Sequence, residues 1–132
     1  MATGYNTTLR NTRLDAITTA LDAGATVGRL RIKTDGAVLL ANLPLNNPAA
    51  AGAAAGVLTI DCTPTLTAGV TAAGTAGYYE LTDSDLNVVR VGNVATTAAG
   101  GANDLKFASI TWVTGGTVNV TAAAITEGNA TA

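Results

Sequence analysis

Histidine is absent from the sequence, and cysteine occurs only once, at Cys62. Because histidine is the commonest general base and metal ligand, neither a Ser-His-Asp nor a Cys-His catalytic site can be built within this chain. A zinc site with one cysteine and no histidine would be exceptional. The lone cysteine cannot form an intrachain disulfide, and its apolar sequence neighbourhood predicts a buried free thiol. We therefore expect a protein that is not an enzyme and that binds neither a metal nor a cofactor.

Charged and aromatic residues are also scarce, at 12% and 4% of the chain. The charged share is about half of what globular proteins usually carry. With a net charge of −2 and a pI near 4.7, the chain lacks the basic surplus that phosphate binding needs, so we expect no nucleic-acid partner. A surface with little charge loses little hydration energy when another protein covers it. The composition favours a protein with extensive protein–protein contacts.

Long hydrophobic runs are missing as well. The Ala/Gly tract at residues 48–56 is too short and too weakly apolar to span a bilayer, so we expect no membrane partner. The first eleven residues contain neither the apolar segment nor the cleavage pattern of a secretory signal. We expect a protein made in a cytoplasm without an export signal.

One helix is predicted at residues 12–23, where Leu14, Ile17 and Leu21 recur at spacings of three and four and form one apolar stripe. Thr12 with Asp15 three residues later resembles a capping arrangement, and Gly24 predicts a left-handed stop. The chain length fits a single domain, 1–132. We divide it into an N-terminal arm (1–11), the helix (12–23), a β region (27–126) and a tail (127–132).

From residue 27 onward apolar and polar residues alternate with a period of two, which predicts strands. Turn-forming residues separate them at 35–36, 83–85 and 115–116, and a shift of parity predicts a bulge or bend near residues 108–109. About seven or eight short strands without strand–helix–strand alternation favour a mainly β fold, an antiparallel sandwich or jelly roll. The predicted strand ranges are 28–33, 37–43, 57–62, 78–82, 87–94, 105–113 and 117–126, with 66–77 a loop or weak edge strand.

Three groups of side chains are candidates for function. Asp83 and Asp85 could act as paired carboxylates or, with Asn87, bind calcium weakly, but a hairpin turn is the favoured interpretation. The aromatic residues Trp112, Tyr78 and Tyr79 could stack on sugars, or they could belong to the core. The third group is a basic stripe on one strand, which would be a solvated face, a contact with acidic residues of a neighbouring subunit or, least favoured, a contact with nucleic acid. Its members are Arg29, Arg31 and Lys33.

Residues 11–32 (NTRLDAITTALDAGATVGRLRI) resemble the opening of a group of short virion proteins of tailed phages and prophages. Those proteins carry an NTRLDAI-type helix, a glycine and then a strand with a turn after it. The segments GVLTI at 56–60, LTDSD at 81–85 and GGTVNVTAAAITEGN at 115–129 extend the resemblance over most of the chain. These motifs are structural, and none of them carries chemistry.

The resemblance implies a capsid decoration, or cement, protein of a tailed phage, with a small β-barrel or jelly-roll fold. It implies non-covalent bridging of major capsid subunits by dimers or trimers on the capsid surface of the virion, after synthesis in the host cytoplasm. The alternative is a tail or fibre component that binds a host-surface glycan. The small-residue loops at 48–56 and 95–103 are candidate contact surfaces, together with six side chains on the helix and the basic strand. These are Leu14, Ile17, Leu21, Arg29, Arg31 and Lys33.

Overall fold

The computed structural model describes residues 6–98 and 105–126, and it confirms that the protein is mainly β. Strands account for 42% of it, and one helix precedes them in the described ranges. No described helix combines the length and the apolarity that are needed to cross a bilayer. The predicted tail at 127–132 and part of the predicted loop at 95–103 lie outside the described residues.

The helix, α1 (Thr7–Leu21), begins five residues before the predicted start. Asn6 is the N-cap, and its side-chain oxygen accepts a hydrogen bond of 2.8 Å from the N–H of Leu9. The predicted cap at Thr12 is therefore wrong, and residues 7–11 belong to the helix rather than to an arm. The helix ends at Asp22, which has a φ of −89°, so the predicted left-handed stop at Gly24 is wrong too. Gly24 instead lies so close to the side chain of Ser84 that a Cβ would collide with it.

Eleven strands follow in the described residues. They are β1 (Arg29–Lys33), β2 (Leu39–Pro44), β3 (Val57–Thr59), β4 (Leu66–Gly69), β5 (Gly74–Thr75), β6 (Tyr78–Thr82), β7 (Val88–Thr96), β8 (Leu105–Phe107), β9 (Thr111–Trp112), β10 (Thr117–Val120) and β11 (Ala124–Thr126).

The largest sheet has five strands in the order β2-β1-β6-β7-β8. Its first four strands are antiparallel, but β7 and β8 run parallel, so the purely antiparallel prediction is wrong at this edge. The remaining strands pair as β3–β11, β4–β10 and β5–β9. Together they make a curled mixed sheet, a half-barrel, and the predicted sandwich or jelly roll is not confirmed.

The predicted strands of the last third are interrupted. A bend at residues 108–110 separates β8 from β9, close to the predicted irregularity. The two pieces then pair with different partners, β8 with β7 and β9 with β5. The predicted strand at 117–126 is likewise split by residues 121–123 into β10 and β11. Short strands that change partner let the sheet curl.

Two hairpins, β1–β2 and β6–β7, confirm the predicted turns and share one geometry. In the first, the N–H of Thr34 donates to the carbonyl of Val38 and the N–H of Ala37 donates to the carbonyl of Thr34, both at 2.9 Å. The second hairpin repeats this pattern around Asp83, with both distances at 3.1 Å. The third loop residue, Ala37 or Leu86, has a φ of 67° in each case. This is a turn followed by a left-handed residue, a common way to close a hairpin.

The core lies inside the curled sheet, and α1 packs against β3 and β7. Leu14 and Leu21 of α1 are buried there, and Ile17 packs against it half-buried. Each strand of the large sheet contributes inward side chains, as the period of two predicted. The buried members from these strands are Leu30, Ile32, Leu40, Ala41, Leu43, Tyr79, Leu81, Val94 and Leu105.

Candidate interaction surface

The basic strand β1 lies in the middle of the sheet, with β2 on one side and β6 on the other. Leu30 and Ile32 are buried in the core, so the alternating residues Arg29, Arg31 and Lys33 lie on the opposite, outer face. The predicted stripe is therefore present, and all three basic residues are half-buried. We call the outer surface of β2, β1, β6 and β7 the basic face.

Strand register places three rows of four residues across the basic face, because directly opposed residues in antiparallel strands lie on the same side. The rows are Pro44–Arg29–Thr82–Val88, Asn42–Arg31–Glu80–Val91 and Leu39–Lys33–Tyr78–Asn93, and Thr82 in the first row is fully buried.

Only part of the positive charge on the basic face is neutralised within it. The ammonium of Lys33 lies 2.5 Å from a carboxylate oxygen of Glu80, and their side chains are only 16% and 12% exposed. Arg29 and Arg31 form no side-chain hydrogen bond or ion pair with any residue of the described ranges. The rows therefore contain three cations against one carboxylate, in a protein whose net charge is negative.

The middle row contains polar atoms that are shielded from solvent and not hydrogen-bonded. The Nε of Arg31 and the side-chain oxygen of Asn42 are both buried without a partner, although their residues are neighbours in register. Such atoms carry a desolvation cost that hydrogen bonding would normally offset. At the end of the row, Val91 leaves 55% of its surface exposed, and Val88 in the first row leaves 50%. The basic face thus combines uncompensated guanidinium groups with exposed apolar side chains.

The helix positions predicted as contacts have a different role. Leu14 and Leu21 are 1% and 0% exposed, and Ile17 packs on the same core, so the chain's own interior covers these side chains. A partner could reach Leu14 or Leu21 only by opening the core.

The Ala/Gly loop at 48–56 is held by polar side chains of α1. Asp22 accepts a hydrogen bond from the N–H of Ala49 at 3.1 Å, and Asp15 accepts one from the N–H of Ala53 at 2.7 Å. Asn11 accepts a third from the N–H of Gly56 at 2.9 Å. The spacings of four and seven place the three acceptors on one helix face. The loop is therefore fixed against the helix, with residues 51, 52, 54 and 55 exposed.

The two aspartates of the β6–β7 turn do not form an acid pair. One oxygen of Asp83 accepts hydrogen bonds from the N–H groups of Asp85 and Asn87, both at 2.9 Å, and the other accepts the Asn87 side-chain amide at 3.0 Å. These bonds, with the Asn87 amide first, lower the pKa of Asp83. The carboxylate is used to build the turn, as the favoured interpretation of the sequence held.

Metal ligands do not assemble elsewhere in the part of the chain that the structure describes. No three His, Cys, Asp or Glu side chains come together there as a metal site would require. A small, mostly apolar cavity lined by Leu30, Tyr79 and Ile125 among others has a volume of about 20 Å³. That is room for about one water molecule and not for a ligand.

Cys62 lies in an open groove of about 500 Å³ between loop 48–51 and residues 59–63 and 121–122. The thiol is half-buried rather than fully buried as predicted. Burial, and secondarily the charge of Asp61, raises the pKa of Cys62, which leaves less of the nucleophilic thiolate. Asp61 and Cys62 are the ionisable side chains that line the groove among the described residues, and one oxygen of Asp61 accepts a hydrogen bond from the N–H of Thr63 at 3.0 Å.

The three aromatic residues proposed for sugar stacking are not brought onto one surface. Tyr79 is buried in the core, whereas its neighbour Tyr78 lies on the basic face. Trp112 packs edge-on against Phe107, with ring centroids 5.1 Å apart, and its indole N–H donates to the carbonyl of Ser109 at 2.9 Å. This arrangement stabilises the β8–β9 bend and leaves no shared platform.

Sequence reasoning found the basic strand but missed the residues beside it. Asn42, Glu80 and Val91 share a row with Arg31 only because of the register between four strands. Asn42 and Glu80 each lie between two buried apolar residues, which is a local signal for the face they occupy, but the pairing partner of each strand is not encoded locally.

Comparisons of the chain with protein-family models, with curated proteins and with solved structures find no match.

Proposed function

We propose that this protein is a structural component of a tailed-phage virion that decorates the capsid by binding neighbouring major capsid subunits. In this proposal the protein acts by binding other folded proteins non-covalently, without catalysis and without a cofactor. The observation that supports this most is the basic face, where two guanidinium groups that have no side-chain partner among the described residues lie beside exposed valines.

The resemblance of residues 11–32 to phage virion proteins gives the proposal its biological setting. Decoration uses many copies of one modest contact, and the symmetry of the shell multiplies their effect. In this proposal the protein sits on the shell as a dimer or trimer with a small barrel or jelly-roll fold. Light scattering on the pure protein measures the oligomer, and a monomer at micromolar concentration would remove that part of the proposal.

Immunogold labelling of particles purified from a lysate of the encoding phage tests the assignment to the capsid. We expect label over the whole head and, on a stained gel, a copy number in the hundreds. Label confined to the tail, at a few copies per particle, would instead favour the glycan-binding alternative. No label on the particles would remove the virion role.

A further inference from the structure

We infer that the basic face docks an extended acidic segment of a protein partner, with Arg31 as its central anchor. This inference rests on the proposed decoration role, because it specifies the chemistry by which the partner is recognised. It adds which face binds, what charge the partner presents, and how strong one contact is.

The net positive charge of the basic face indicates that its partner carries negative charge. Three cations and one carboxylate occupy the rows of the basic face, and the carboxylate is taken by Lys33. Arg29 and Arg31 are left without side-chain partners in the described chain. A partner carboxylate would satisfy a guanidinium by paired hydrogen bonds. A second copy of this face would bring like charges together, so self-docking through it is disfavoured.

Geometry favours an extended segment. Arg29 and Arg31 are two residues apart on one strand and therefore about 7 Å apart along it. Acidic residues at alternate positions of another extended chain have the same spacing. A segment with the pattern acid–X–acid could therefore pair with both guanidinium groups at once.

The surroundings favour protein over nucleic acid. Val88 and Val91 are about half exposed on the same face, and apolar contacts of this kind suit a protein surface. Two guanidinium groups without a side-chain partner in the described residues would neutralise few phosphates.

Size predicts a weak single contact. The Cα positions of the three rows span about 14 Å across the strands and about 14 Å along them. The area that these positions enclose, about 200 Å², is well below the roughly 800 Å² per partner of a stable standard interface. One copy should therefore bind an isolated segment weakly, and stable attachment should need a repeated array.

The test uses a synthetic peptide of alternating Glu and Thr, with a Gln/Thr peptide as its neutral match. Titration into the ¹⁵N-labelled protein should shift the amide signals of β1, β2 and β6 and leave those of α1 unchanged. Arg31→Gln and Arg29→Gln should each weaken binding by about 10-fold. Arg13→Gln removes the same charge from an exposed helix position and should leave the affinity unchanged. Unperturbed spectra elsewhere would show that the variants remain folded.

Several outcomes would overturn the inference. They are no shift at millimolar Glu/Thr peptide, shifts centred away from the basic face, equal affinity for the Gln/Thr peptide, or tighter binding of a short DNA duplex. Any of these together with gold label on the capsid would leave the decoration role standing and remove only this mode of docking. Peptide binding at the basic face with unlabelled particles would remove the decoration role and leave the acidic specificity.

Discussion

At the scale of single residues, Asp83 illustrates how a candidate catalytic group serves the fold instead. Its carboxylate accepts three hydrogen bonds from the turn that it begins. These bonds favour the charged form, so the pKa of Asp83 in the folded state lies below its ordinary value of 3.8. A carboxyl group with a lowered pKa stabilises the fold when it is ionised, and this contribution is lost as the pH falls through the folded-state pKa.

Asp83→Ala should therefore lower the free energy of unfolding at pH 7. The difference from the unchanged protein should shrink as the pH falls from about 4 through the lowered pKa of Asp83. Chemical denaturation at a series of pH values measures this. The control Asp85→Ala removes an equal charge whose carboxylate accepts no hydrogen bond from the described residues of the turn, and it should lower the free energy of unfolding at pH 7 by less. A difference in the free energy of unfolding between Asp83→Ala and the unchanged protein that stays constant down to pH 2 would contradict this explanation.

Leu86 is a second residue for which the backbone conformation affects the stability of the fold. Its φ of 67° lies in the left-handed region, and its side chain is 46% exposed. A glycine accepts this conformation without the steric cost of a Cβ.

We expect Leu86→Gly to raise the free energy of unfolding by up to about 1 kcal/mol. Ala16→Gly in the exposed middle of α1 provides the opposite control and should lower it by about 1 kcal/mol. Thermal and urea denaturation measure both. A loss of stability in Leu86→Gly as large as that in Ala16→Gly would show that Leu86 is not strained.

At the scale of elements, α1 serves two functions from two faces. One face buries Leu14 and Leu21, and another presents Asn11, Asp15 and Asp22 to the loop at 48–56. A low-complexity Ala/Gly sequence is normally flexible because its side chains offer few contacts. Here the helix supplies the contacts through the backbone of the loop.

Asp15→Ala should lower the free energy of unfolding by about 1 kcal/mol, since it removes the acceptor for the N–H of Ala53. It should also speed proteolytic cleavage within the loop. Asp15→Asn keeps a side-chain oxygen and should retain most of the stability. Cleavage rates by mass spectrometry report on the loop directly, and equal rates in all three proteins would mean that the contact does not hold it.

Element types were largely predictable, whereas boundaries and partners were not. Alternation of Leu30 and Ile32 with Arg29 and Arg31 predicted β1 and its two faces correctly, because burial on one side leaves a local signature. The start of α1 was missed because Asn6 caps the helix before any apolar stripe begins. The parallel pairing of β7 with β8 was missed because strand partners depend on distant segments.

The candidate surface, too, was predictable from the sequence only in part. Sequence alternation placed three cations on one face, but it also offered Leu14 and Leu21 as contacts that prove to be core. Periodicity identifies an apolar stripe but cannot distinguish burial inside the chain from burial against a partner. The partial neutralisation by Glu80 needed the register of β1 against β6.

At the scale of the whole molecule, the two faces of the sheet differ in composition. The inner face lines the hydrophobic core, and the outer face presents cations and valines. Histidine is missing from the sequence, and the carboxylate of Asp83 accepts three hydrogen bonds within the β6–β7 turn. We propose that the protein acts by covering surface on another protein, and that the strength of this action depends on how many copies act together.

Heat-induced release of DNA from particles that lack this protein tests that claim most directly. Added protein should raise the release temperature in a saturable way, and a variant with both Arg29→Glu and Arg31→Glu should raise it less. The control Arg13→Glu should match the unchanged protein. A release temperature that stays the same at saturating protein would contradict the account, because adhesion that does not strengthen the shell is not decoration.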